Sequence, residues 1–79
     1  MVAFEKTLAE VLRGTADANI RFSDLRRVLE GLGFDEWTRG SHHIFTRVGV
    51  AEILNLQPKA SKAKAYQVKQ VRRLSSSTG

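Results

Sequence analysis

The sequence predicts a two-layer α+β domain in the order α–α–β–β–β–α, with a three-stranded antiparallel sheet and the helices on one of its faces. Three observations predict it. Apolar residues recur at helical spacing before Gly33 and again after Pro58. Between those segments the period changes to that of strands, in runs rich in β-branched and aromatic residues. The strands are joined by links so short that only antiparallel neighbours can be connected. Three strands cannot bury both faces alone, and the helical stripes need a surface to cover, so a sandwich satisfies both.

Each element follows from a local signal. Phe4, Leu8, Val11 and Leu12 fall on one face of a helix over residues 3–14, which Gly14 ends, and residues 15–19 read as a connector. Ser23 has the character of an N-cap, with Asp24 in the first turn where a carboxylate complements the helix dipole. Leu25, Val28, Leu29 and Leu32 form the core stripe of this second helix, and Gly31 and Gly33 mark its end. Residues 34–39 read as a first strand, Gly40-Ser41 as a turn and residues 42–48 as a second strand. Gly49 turns the chain again, and residues 50–56 form a third strand closed by Pro58, which cannot continue a ladder. Ser61, within the Lys-Ala alternation of 59–65, reads as the entry to a last helix whose stripe is Ala65, Val68, Val71 and Leu74. Residues 75–79 have little to bury and are expected to form a disordered tail. Trp37, Phe45 and Tyr66 are expected in the core.

Length and composition narrow the function classes. Seventy-nine residues, 42% of them hydrophobic, make one small domain with a modest core. There is no cysteine, which removes disulfides, thiolate catalysis and cysteine-type zinc sites. No apolar run approaches the roughly 18 residues of a membrane span, and residues 1–6 lack the pattern of a secretory signal. A cytoplasmic protein without a membrane partner is the expectation. The net charge of +5 is unevenly spread. Residues 1–56 hold seven Lys/Arg and eight Asp/Glu, whereas residues 57–79 hold six Lys/Arg and no acid. A basic segment of this kind suits an anionic partner such as nucleic acid.

The candidates for chemistry are few. The only histidines, His42 and His43, are adjacent and follow Gly40-Ser41. Successive strand residues point to opposite faces, so one of the pair should face the helices and the other should face away. Histidine exchanges protons near neutrality, and at the mouth of a turn close to cations it suits work on a phosphodiester. On spacing alone, one buried polar histidine and one surface histidine is the simpler account. Adjacent strand histidines diverge and no third ligand lies nearby, so no metal or other cofactor is expected. Lys59, Lys62 and Lys64 surround the predicted start of the last helix, where free N–H groups and the dipole favour an anion, with phosphate the natural occupant. Lys69, Arg72 and Arg73 could extend that track.

The residues Phe22-Ser23-Asp24-Leu25, Leu29 and Gly33-Phe34, then Arg39-Gly40-Ser41-His42-His43-Ile44-Phe45, then Leu56-Gln57-Pro58 and a basic closing helix, together resemble the HicA toxins of bacterial type II toxin–antitoxin systems. The resemblance spans residues 22 to about 74. It implies a fold like that of double-stranded-RNA-binding domains, with residues 1–21 as a helical extension and linker. It implies an endoribonuclease that cuts messenger RNA and stops translation, and a HicB-type antitoxin partner that blocks the site. It also implies that a histidine in the Gly-Ser-His block, matched here by Gly40, Ser41 and His42, is needed for toxicity. His42 is therefore the first candidate, and His43 stays open because some relatives place the working histidine one residue later. The chain departs from the family in its N-terminal extension, in residues 57–65 and in its Ser-rich end.

The expected mechanism is hydrolysis without a metal, using the RNA 2′-hydroxyl as nucleophile and a histidine as general base or acid. Lys59, Lys62 and Lys64 would hold the RNA backbone, with Arg39 and Arg47 as lesser candidates. The alternative is a non-catalytic RNA-binding module of the same fold. A helix-based DNA binder fits less well, because the residue 25–32 helix has no helix-turn-helix partner.

Overall fold

The computed structural model describes residues 3–77, with side chains over 4–74. Its elements are α1 (Ala3–Arg13), a single 3₁₀ turn (Asp17–Asn19), α2 (Phe22–Gly31), β1 (Asp35–Arg39), β2 (His42–Arg47), β3 (Val50–Leu56) and α3 (Ala65–Ser77). The order is α-α-β-β-β-α, as the sequence predicts. The antiparallel sheet runs β1-β2-β3 with β2 in the centre. No helix among the described residues is long and apolar enough to cross a membrane.

The sheet's two faces are unlike. Phe45 pairs with Leu54 and His43 with Leu56 across β2 and β3, and Phe45, Leu54 and Leu56 are buried against the helices. They join Leu25 and Leu29 of α2 and Val68, Val71 and Leu74 of α3 in one core. Truncating a buried leucine such as Leu54 to alanine costs about 2–5 kcal/mol. On the opposite face Trp37 pairs with Ile44, and no described helix packs over them. Trp37, expected in the core, is 64% exposed, and Tyr66 on α3 is 61% exposed. Strand alternation put Trp37 on the side away from Phe45, and among the described residues there is no second helical layer to bury it. Phe45 is buried as expected.

Helix boundaries differ from expectation for identifiable reasons. Ser23 is not the cap of α2; Arg21 occupies that position without a side-chain cap bond. The cap is replaced by backbone. The Phe22 N–H donates to the Ser61 carbonyl at 3.0 Å, and the Ala63 N–H donates to the Ile20 carbonyl at 2.9 Å. The helix therefore starts two residues early, at Phe22, which is buried. At its end Gly33 has φ 92°. The Phe34 N–H reaches the Leu29 carbonyl and the Gly33 N–H the Glu30 carbonyl, each at 3.0 Å, which satisfies carbonyls the helix leaves open.

Ser61 does not open the last helix. Lys59 and Lys62 pair across a tight turn in which Ala60 (φ 50°) and Ser61 (φ 65°) are both left-handed, and α3 begins at Ala65. Gln67, fully buried, secures that start. Its Oε1 accepts from the Lys64 N–H at 3.1 Å and its Nε2 donates to the Gln57 carbonyl at 3.2 Å. This is the backward half of a capping box. The helix continues to Ser77, so the serines expected in a disordered tail are helical; Thr78 and Gly79 lie outside the described residues. β1 starts after the buried Phe34, and Val48, expected in β2, is 98% exposed in the turn that follows it.

The N-terminal segment is part of the fold. Val11 is fully buried in the common core, and α1 packs on α2 and α3. Arg72 on α3 donates through Nη1 to the Val11 carbonyl at 3.1 Å and to Asp17 Oδ1 at 3.0 Å, while its Nη2 reaches Asp17 Oδ2 at 3.2 Å.

Candidate functional site

The two histidines diverge as alternation requires. His42 begins β2 on the open face, opposite Arg39 of β1, and is exposed. Its Nδ1 donates to Asn55 Oδ1 on β3 at 3.0 Å. An imidazole with its proton held on Nδ1 keeps the Nε2 lone pair free. Beside it, Ser41 Oγ accepts from Gln57 Nε2 at 3.0 Å, so the turn before β2 is fastened to the end of β3. Ser41, His42, Asn55 and Gln57 thus form an exposed polar cluster at one end of the sheet, with Arg39 next to it. Arg39 makes no ion pair among the described residues.

His43 points the other way and is held by Phe22 and Glu36. Its side chain is 18% exposed, its ring meets Phe22 edge-on with centroids 4.8 Å apart, and its Nδ1 donates to Glu36 Oε2 at 2.6 Å. Glu36 in turn accepts a two-pronged contact from Arg26, whose Nε lies 2.7 Å from Oε2 and whose Nη2 lies 2.9 Å from Oε1. Burial, the largest single influence, pushes the Glu36 carboxyl up. The hydrogen bonds from Arg26 and His43 and their charge together outweigh it and hold the group below the usual carboxylate range. The same Glu36 contact raises the Arg26 guanidinium.

The predicted cations are not gathered at one helix terminus. Lys59 and Lys62 flank the left-handed turn beside the start of α2, and Lys62 also pairs with Arg21 in a backbone bridge. The Lys62 ammonium reaches Asn19 Oδ1 at 3.5 Å. Lys64 occupies the cap position of α3, where its N–H is already taken by Gln67. Lys59 is two residues beyond Gln57, and so lies nearest in the chain to the His42 cluster. Arg47 ends β2 at the far side of the sheet. A strand rise of about 3.3 Å per residue puts it roughly 16 Å from His42, beside Gly33. Arg72 and Arg73 do not extend a free basic track, because they pair with Asp17 and Glu52.

Three residues escape a reading of the sequence. Asn55 and Gln57 orient His42 and Ser41 through cross-strand contacts that depend on register. Glu36 becomes the partner of His43 only because β1 and β2 pair as they do. Alternation along residues 35–39 places Glu36 on the Phe45 side, and that is the one signal that could have found it. Among the described residues no group of three or more His, Asp or Glu side chains could hold a metal ion. No family model, no curated protein and no solved structure matches the chain.

Proposed function

We propose that this protein is an RNA-cutting toxin of the HicA type, a cytoplasmic endoribonuclease in which His42 is the general base and which a HicB-type antitoxin neutralises. The observation that carries the reading is the exposed His42 with its Nδ1 proton on Asn55 and an unpaired Arg39 across the strand. In this mechanism His42 Nε2 takes the proton of an RNA 2′-hydroxyl. The freed oxygen attacks the adjacent phosphorus, and the bond from phosphorus to the 5′-oxygen breaks. The leaving oxygen takes a proton from solvent, and the products end in a cyclic phosphate and a 5′-hydroxyl. Arg39 stabilises charge on the phosphate oxygens, and Lys59, with Lys62 and Lys64 further along, holds the flanking backbone. General-base catalysis of this kind contributes about 10²–10⁴-fold.

The test is cleavage of end-labelled RNA in the presence of a chelator, together with growth arrest on expression. His42→Ala should lose both while keeping the melting temperature of the parent, since His42 is exposed and its one side-chain hydrogen bond is to the likewise exposed Asn55. A second assignment has its own support in the 2.6 Å contact between His43 and Glu36, which orients an imidazole as a base would be oriented. If His42→Ala still cuts and His43→Ala does not, that assignment replaces the first. RNA that is bound but never cut by the parent protein would identify the non-catalytic module instead.

A further inference from the structure

The face of the sheet turned away from the helices carries a large aromatic group with no structural task. Trp37 stands 64% exposed in the middle of β1, and Ile53, on β3 across the central strand, is 62% exposed. Together with Arg39, Ile44 and Thr46 they line an open depression of about 470 Å³. Its charge is polarised. Arg39 and His42 face each other at one end, and the acid on this face, Asp35, lies at the other, opposite Thr46. Glu52, the remaining acid of β3, is turned to the helices, where Gln70 and Arg73 hold it.

We propose that this face binds single-stranded RNA, with one unstacked base laid on the indole of Trp37 and the neighbouring phosphate on Arg39. The proposal rests on the RNA reading above and names where and in what form the RNA is held. A flat indole flanked by aliphatic side chains offers a base its π-face, and a base can present that face only when it is not stacked inside a duplex. The cation sits where the backbone must run, and it also selects a polyanion over an apolar protein surface. Trp37 and His42 are one strand and two residues apart, about 8 Å between backbones by strand geometry. A base on Trp37 therefore carries its own phosphodiester to the histidine.

The experiment uses the full chain and 2′-O-methyl RNA oligomers, which lack the attacking hydroxyl and so report binding whether or not the protein cuts. Trp37 is the sole tryptophan, so its fluorescence reports on this face alone. A single-stranded oligomer should quench it, and the duplex of the same sequence should quench it far less. By anisotropy of a labelled strand, Trp37→Ala should weaken binding about 5- to 150-fold, the range for loss of one stacked base, and Trp37→Phe should retain most of it. Equal binding by Trp37→Ala, or equal quenching by duplex, overturns the proposal. So does concentration-dependent shielding of Trp37 without RNA, accompanied by a doubled mass in sedimentation, which would make the face a contact between copies. Quenching without any cleavage of ordinary RNA would leave the platform standing and remove the nuclease. Cleavage unaffected by Trp37→Ala would do the reverse.

Discussion

Replacing Ala60 by glycine should stabilise the protein, and the size of the gain can be worked from the turn. Ala60 and Ser61 hold φ values of 50° and 65° in succession, the combination a two-residue hairpin turn needs and that glycine or asparagine normally supplies. An L-residue with a Cβ costs roughly 1–2 kcal/mol in this region. Glycine removes that cost but gives back about 0.4–1 kcal/mol through its greater freedom in the unfolded chain. The net for Ala60→Gly is about 0.5–1 kcal/mol in favour of folding. For a domain of this size 1 kcal/mol moves the midpoint by about 4–8 °C, so thermal unfolding followed by circular dichroism should shift upward by about 2–8 °C. Ser61→Gly is the internal control. Its hydroxyl donates to the Ala60 carbonyl, and losing that bond offsets the relief, so its midpoint should stay close to the parent's. A lower midpoint for Ala60→Gly would mean that the left-handed pair is not the conformation in solution, and the placement of Lys59 and Lys62 would go with it.

Two further predictions concern the charged pairs. Glu36 has its folded pKa held below the unfolded value of about 4.3, so its stabilising contribution is present above that pH and is lost as pH falls through the lower folded value. In urea titrations from pH 7 to pH 3, Glu36→Gln should be less stable by about 1 kcal/mol at neutrality, discounted for the partly exposed Arg26, and should show a shallower acid loss than the parent; parallel curves would refute it. Arg72→Met leaves Asp17, 13% exposed, without its guanidinium, and should cost about 2–3 kcal/mol. Adding Asp17→Asn should recover part of that loss, and a single variant within 0.5 kcal/mol of the parent would show the clasp to be idle.

The architecture was legible because it rests on periodicity. The stripe of Leu25, Val28 and Leu29, the change of period after Gly33 and the stop at Pro58 carry the element order without reference to distant contacts. What was not legible depends on register and on layer count. Trp37 and Phe45 look alike as strand aromatics, and what decides that one is wet is that the described helices all pack on the Phe45 side. The start of α2 is set by a carbonyl at Ser61, far along the chain, so no local motif at Ser23 could reveal it. The opposition of His42 and His43 followed from alternation, but which of them faced the helices required the burial of Phe45. Their partners Asn55 and Glu36 come from neighbouring strands and become visible only with the pairing. Arg72 and Arg73 read as free cations because their acids, Asp17 and Glu52, are remote in sequence.

Because Arg72 grips the last turn of α1 from 61 residues further along, α1 and α3 cannot come apart independently. Closing so long a loop is an early entropic cost that only the completed core repays. The terminal helix should therefore not open by fraying alone. Amides in the last turn of α1, near Val11, should exchange with solvent at the rate of the central strand, through opening of the whole domain.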